Sequence, residues 1–367
     1  MTRRLMVGLG IGIGLVALFA WRGSQKGERE GETPESAEVL SETEEEAMNR
    51  IEEVFESLRS ADGELSSREL LSDLKMELLL MPSDEASEAI VSFLKDDSRN
   101  VATGLRFGLG LDHQLDSAPT LRVALLDWLG KIDPEKAAEL AVSILSTSGD
   151  PNEWAICLRN KALGDPSQES LDFVEKKALE MIRRSDWRTK PTISYLESFD
   201  VLVHTKSTAA VPVLAEMVSD RGKEGEAVAH AAFLTLDRLV QLAPEKSMKR
   251  LMEDLSVAES RPTMLAQVVA RADLRDAAQR SCVEAYLLDP ERSPAEIEAF
   301  AAIFPNANFM VSDNLVSETV IPAGAELEAR ERAALGVIDG WMAEERFEPV
   351  RSSLERIRER LETRVVD

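Results

Sequence analysis

The sequence predicts an all-α protein, a right-handed α-solenoid of stacked antiparallel helix pairs preceded by one transmembrane helix. Three observations carry that expectation. Apolar residues recur at three- and four-residue spacing through the body, and no segment longer than a few residues alternates with period two. Polar turns cut the pattern into amphipathic pieces that cannot bury their apolar faces alone and need neighbours of the same kind. Near the amino terminus an uncharged run approaches the thickness of a bilayer. On this reading residues 1–21 are a signal anchor, 22–42 a flexible acidic linker and 43–303 the repeats. An irregular loop over 304–324 and capping helices over 325–367 complete the chain.

The leader places Arg3 and Arg4 before an uncharged run from Leu5 to Trp21. Trp21 and Arg22 mark its far boundary, since an aromatic ring and a cation both favour the membrane interface. Cleavage after Ala20 would need a small residue two positions earlier, where Leu18 stands, so an uncleaved anchor fits better than a secreted chain. The short doubly basic leader predicts a single-pass protein with its body extracytoplasmic, periplasmic if bacterial. Thr2 to Val7 also resembles a twin-arginine export motif. Gly8/Gly12 and Gly10/Gly14 have the spacing that lets membrane helices approach, whereas Ile13 breaks a dinucleotide-binding pattern. From Arg22 to about Ser41 the chain is charged and nearly free of apolar residues, which makes it a tether.

Helices are expected over 43–59, with Ile51, Val54 and Leu58 facing inward, and over 66–80, with Leu71, Leu74 and Leu78. Ala86, Ile90 and Phe93 begin the next stripe, Lys95 to Asn100 form a turn, and Val101, Leu105 and Leu109 predict a second helix weakened by Gly104, Gly108 and Gly110. Leu121 to Leu145 reads as a helix pair joined at Asp133, an N-cap, and Pro134, a first-turn proline. Asp150-Pro151 and Ser293-Pro294, each followed by Glu two residues after the proline, repeat that chemistry as capping boxes. Val211 to Val218, Val228 to Val240 and Met248 to Leu255 supply three more stripes. Aligned with an offset of 110 residues, 121–145 and 231–255 match at Leu126/Leu236, Asp127/Asp237, Leu129/Leu239 and through Pro-Glu-Lys at 134–136 and 244–246. Phe347, Val350, Leu354, Ile357 and Leu361 predict a terminal helix that caps the stack.

A helix ending in Leu94-Lys95-Asp96-Asp97, a polar turn, and Val101-Ala102 opening the next segment resembles the HEAT repeat family. Val211 to Val240 has the same shape, with Asp220 in its turn and Ala227-Val228-Ala229 opening its second helix. The resemblance covers about Ser83 to Leu255. It implies helix pairs stacked into a curved superhelix whose surfaces bind other proteins. A tetratricopeptide signature at 34-residue spacing is not found.

Among 367 residues, 44% are hydrophobic, 5% aromatic and 30% charged, with a formal net charge of −24. That charge argues against a nucleic-acid surface, which needs clustered Lys and Arg. Cys157 and Cys282 lie in apolar runs and give neither a disulfide framework nor metal spacing. Of the three histidines, His113, His204 and His230, none has a second ligand at metal spacing; His230 and Asp237 share the more polar side of one helix. Trp128, Trp154 and Trp341 sit in apolar stripes as core. No catalytic motif is present, and no cofactor or metal site is expected. The reading is a membrane-tethered, extracytoplasmic scaffold that binds another protein. The alternative is an exported α/α-helical enzyme with an acidic concave site. Because a regular array gains nothing from interruption, the irregular loop is the candidate partner site, with Phe309, Met310 and Val311 as apolar anchor beside Asn306, Asn308, Asp313 and Asn314.

Overall fold

The computed structural model describes residues 42–60, 63–220, 225–253, 255–310, 313–319 and 321–365. Those residues are predominantly helical, and most of the expected stripes are buried. The first three helices, α1 (Glu42–Ser60), α2 (Glu64–Leu80) and α3 (Ser83–Leu94), bury Ile51, Val54, Leu58, Leu71, Leu74, Leu78, Ile90 and Phe93. Each such aliphatic side chain contributes roughly 1.5–3 kcal/mol when removed from water. Phe55 and Phe93 meet edge to face with ring centroids 5.8 Å apart.

The expected class is corrected on two counts. Among the described residues no helix is long and apolar enough to cross a membrane; the expected anchor at Leu5–Trp21 lies outside them. Uniform helix pairing also fails after α3. The stripe expected over Val101–Leu109 forms no helix, and an antiparallel hairpin of β1 (Gly108–Leu109) and β2 (Leu115–Ser117) takes its place, extended by a bridge between Ala102 and Thr120. The glycines decide this. Gly104 adopts φ +74, outside the helical range, and a Cβ on Gly110 would collide with the Asp116 carboxylate across the hairpin. Asp112 and His113 form the tip, both at positive φ (53 and 62).

Helical stacking resumes with α4 (Leu121–Ile132), α5 (Pro134–Thr147) and α6 (Pro151–Gly164). Asp133 ends α4 and caps α5, accepting from the Lys136 amide at 3.0 Å. Asp150 and Ser293 likewise accept from Asn152 N (2.8 Å) and Glu296 N (3.2 Å). The third-position glutamates do not reach back as capping boxes would. Instead Glu153 pairs with the buried Arg122 at 2.7 Å, and Glu296 lies 3.5 Å from the buried Arg292. Arg122 also donates to the Leu94 and Asp96 carbonyls (3.0 and 3.1 Å), satisfying the end of α3. Trp128, Trp154 and Trp341 are core residues as expected, exposed by 5% or less.

Next come α7 (Gln168–Arg183), α8 (Ser185–Thr189), α9 (Ile193–Glu197) and α10 (Asp200–His204). The spacing of apolar residues over 192–202 predicts a single helix. It breaks at Ser198, whose Oγ donates to the Tyr195 carbonyl at 2.6 Å and competes with the helical ladder. The chain then tightens into three-residue bonds, Phe199 N to Leu196 O and Val201 N to Ser198 O. After α11 (Val211–Ser219) and α12 (Glu226–Leu242) follow α13 (Pro244–Glu253), α14 (Leu255–Ser260), α15 (Pro262–Val269), α16 (Ala277–Leu288) and α17 (Pro294–Ile303). The last elements are α18 (Gly324–Met342) and α19 (Arg351–Val365), joined by a 3₁₀ turn over Glu345–Val350. That turn, containing Pro349, shortens the expected terminal helix, although Phe347, Leu354, Ile357 and Leu361 are buried. Arg360 Nη1 donates to the carbonyls of Ala301 and Ala302, both at 2.6 Å, placing a cation at the end of α17.

Candidate functional site

The irregular segment after α17 is a strap laid across the polar faces of several helices. At its start, Asn306 N donates to the Ala270 carbonyl (2.8 Å) and the Asn306 amide group to that of Gln267 (3.1 Å). Arg271, just beyond α15, forms a bidentate pair with Asp237 of α12 at 2.8 and 2.9 Å. The same guanidinium donates to the carbonyls of Asn306 (3.1 Å) and Asn308 and lies 5.0 Å from the centre of the Phe309 ring. A planar fork with five donors can serve a carboxylate and two carbonyls at once, which an ammonium cannot.

Farther along, Asp200 at the start of α10 accepts from the Val316 and Ser317 amides, each at 2.8 Å, and from the Ser317 hydroxyl. Arg238 of α12 pairs with Asp200 at 2.6 Å and donates to Asn314 Oδ1 at 3.1 Å. His113 at the hairpin tip places Nδ1 2.8 Å from the Asn314 carbonyl oxygen. Since a carbonyl only accepts, that nitrogen carries the proton in this contact.

An open cleft of about 640 Å³ lies between the strap, α12 and the α9–α10 segment. Its apolar wall includes Leu196, Leu234, Leu242, Phe309, Met310 and Pro322. Phe309 and Met310 also face a smaller cavity of about 370 Å³ beside Ile303 and Gln267, so the strap forms a wall of both spaces. Among the candidate residues Phe309, Met310, Asp313 and Asn314 line the larger cleft, and Asn306 and Asn308 the smaller one. Val311 lies outside the described residues. The asparagines are not equivalent. Asn306 and Asn314 spend their side chains on the fold, whereas the Asn308 side chain is exposed. His230 and Asp237 both line the cleft, with Asp237 committed to Arg271.

Sequence reasoning missed Glu197, Asp200, Arg238 and Arg271. For Arg238 a signal was available, since it lies eight residues after His230 on the same polar side of α12. Glu197 is half-buried on the cleft wall, where burial and then the neighbouring Asp200 push its carboxyl above the ordinary range. His204, at the end of α10, is held below the ordinary imidazole value by burial; Asp200 opposes that shift and His113 adds to it. Burial pushes the Cys157 thiol far up, consistent with an inert core sulfur. Among the described residues no group of three or more His, Cys, Asp or Glu has a geometry that would hold a metal ion.

No family description matches the chain, and no curated protein matches it. One solved structure, from "Computational Design of Self-Assembling Cyclic Protein Homooligomers", aligns over 88% of this chain and 93% of its own at 12% identity, with a TM-score of 0.13. At that score the likeness carries no argument about fold or function. The class is therefore defined by the fold and the site alone: a stack of helices interrupted by a hairpin and a strap, with an open cleft beneath the strap.

Proposed function

We propose that this chain is a protein-binding scaffold that holds a segment of a partner in the cleft between α12 and the strap. The observation supporting this reading is an apolar concave surface left open to solvent. Met310 is 55% exposed and Leu242 42% exposed, on walls that also carry Leu234, Phe309 and Pro322. Large apolar side chains scattered singly over a surface need no explanation, but their gathering in one cleft marks a binding site. The polar bonds of the strap serve to hold that wall in place. The partner is a protein, and no nucleic acid is proposed.

Site-specific photo-crosslinking tests the reading. A photoreactive residue at Met310 or Leu242 should capture the same discrete partner in cells. Leu65 and Val142, exposed apolar positions on α2 and α5 outside the cleft, should not. Equal capture from all four positions, or capture from none, overturns the proposal.

A further inference from the structure

Charges around the cleft are unevenly spent. Three arginines line it, and each is engaged by an acid of the protein itself: Arg238 by Asp200 at 2.6 Å, Arg271 by Asp237 at 2.8 Å and Arg330 by Asp273 at 3.3 Å. Glu197, Asp313 and Glu318 remain, and among the described residues none of them has a hydrogen-bond or ion-pair partner. Glu197 is half-buried in the wall, and Asp313 and Glu318 are exposed on the strap. With its arginines paired internally, the cleft offers an apolar floor ringed by three carboxylates that have no partner among the described residues. A ligand carrying acidic groups would meet like charge there, and the arginines it could reach already lie within ion-pair distance of the protein's own acids.

Resting on the protein-binding reading above, we propose that the occupant is a basic, apolar-rich segment of the partner, with large aliphatic or aromatic side chains on the floor and Lys or Arg opposite Glu197, Asp313 and Glu318. The volume, about 640 Å³, falls inside the range of roughly 300–1,000 Å³ typical of pockets for ligands the size of a few side chains. Half-buried Glu197 gives the recognition its strength, because a charge pair formed away from bulk water is screened less. The strap carboxylates then set orientation and encounter rate.

The test uses the full-length chain and three labelled synthetic peptides of equal length, patterned Leu/Lys, Leu/Gln and Leu/Glu, followed by fluorescence anisotropy. The Leu/Lys peptide should bind, the Leu/Gln peptide at least tenfold more weakly and the Leu/Glu peptide not at all. A chain with net charge −24 attracts cations everywhere, so the decisive comparison is between two charge-matched variants. Glu197→Gln/Asp313→Asn/Glu318→Gln should lose about tenfold in affinity, the scale of three partly exposed ion pairs. Glu69→Gln/Asp73→Asn/Glu139→Gln, outside the cleft, should lose less than threefold; both variants are first shown to melt like the parent. Equal losses in the two variants, or no binding of the Leu/Lys peptide, overturn the inference. Equal binding of spermine would reassign the cleft to a small cation and overturn it as well. Tight binding of the Leu/Gln peptide would overturn the charge argument and leave the protein-binding reading standing, because only the crosslinking result decides that reading.

Discussion

Replacing Asp200 by Ala should release the middle of the strap. Asp200 is 7% exposed and accepts four hydrogen bonds, from the Val316 and Ser317 amides, the Ser317 hydroxyl and Arg238. Val316 and Ser317 are themselves buried, so the substitution leaves two amides without acceptors at about 1–3 kcal/mol each. Breaking a fully buried ion pair would add about 3–5 kcal/mol, but that figure does not apply here. The Arg238 side chain is 22% exposed and keeps Asn314 Oδ1 at 3.1 Å, so it turns to water and to that oxygen. A loss of about 3 kcal/mol follows, equivalent to more than hundredfold faster exchange at the two amides. Native-state hydrogen exchange read residue by residue is the assay. If the strap opens locally, the Val316 and Ser317 amides accelerate while the core of α12 keeps its protection. Asp200→Asn keeps one oxygen for the two amides but sets an NH2 group where Arg238 and the Ser317 hydroxyl donated, so its effect on the two amides should be smaller. Exchange within about threefold of the parent at both amides in the Ala variant would refute the assignment of Asp200 as the strap's anchor.

Two further outcomes are expected. Gly164→Ala should destabilise the protein by about 1–3 kcal/mol, because the new Cβ would collide with the Pro134 carbonyl where α6 passes the start of α5; an unchanged melting temperature would contradict that packing. His204, held below its ordinary value of 6.5, contributes stability that is complete above that pH and is lost as pH falls through the lower folded value. Chemical denaturation across that interval should therefore show declining stability that is blunted in His204→Asn, and an identical slope in the variant would remove His204 from the account.

Helix periodicity was legible because burial writes itself every three or four residues, and the stripes of α1 to α5, α11 and α12 were found on that basis. Capping was half legible. Asp133, Asp150 and Ser293 act as expected, but no local rule says that Glu153 will leave the cap for Arg122, 31 residues away. The hairpin was visible only as a warning, since Gly104, Gly108 and Gly110 lower helix propensity without naming what replaces the helix. The strap could be seen as a gap in the period, and those of its candidate residues that the structure describes line the two cavities. That Asn314 meets His113 across 201 residues, or that Glu197 faces a cleft, depends on tertiary placement, which leaves no trace in local spacing.

The repeated aspartate at 127 and 237 links these features. Asp127 of α4 pairs with Arg159 of α6 at 2.6 Å, and that arginine also donates to the His113 carbonyl at 2.6 Å while Asp127 accepts from the Leu115 amide at 3.1 Å. Asp237 of α12 pairs with Arg271, which holds the Asn306 and Asn308 carbonyls. In both places an acid on one helix orients an arginine from later in the chain, and the remaining donors of the fork hold a stretch of chain that has left the helical pattern. Asp200 and Arg238 make a third such pair, holding residues 314–317. Irregular backbone needs acceptors and donors that a helix would supply internally, and it can lie over helices only where polar side chains provide them. The hairpin and the strap therefore settle over the row of Asp–Arg pairs and meet at His113 and Asn314, and the wall of the cleft stands where that row runs beneath the strap.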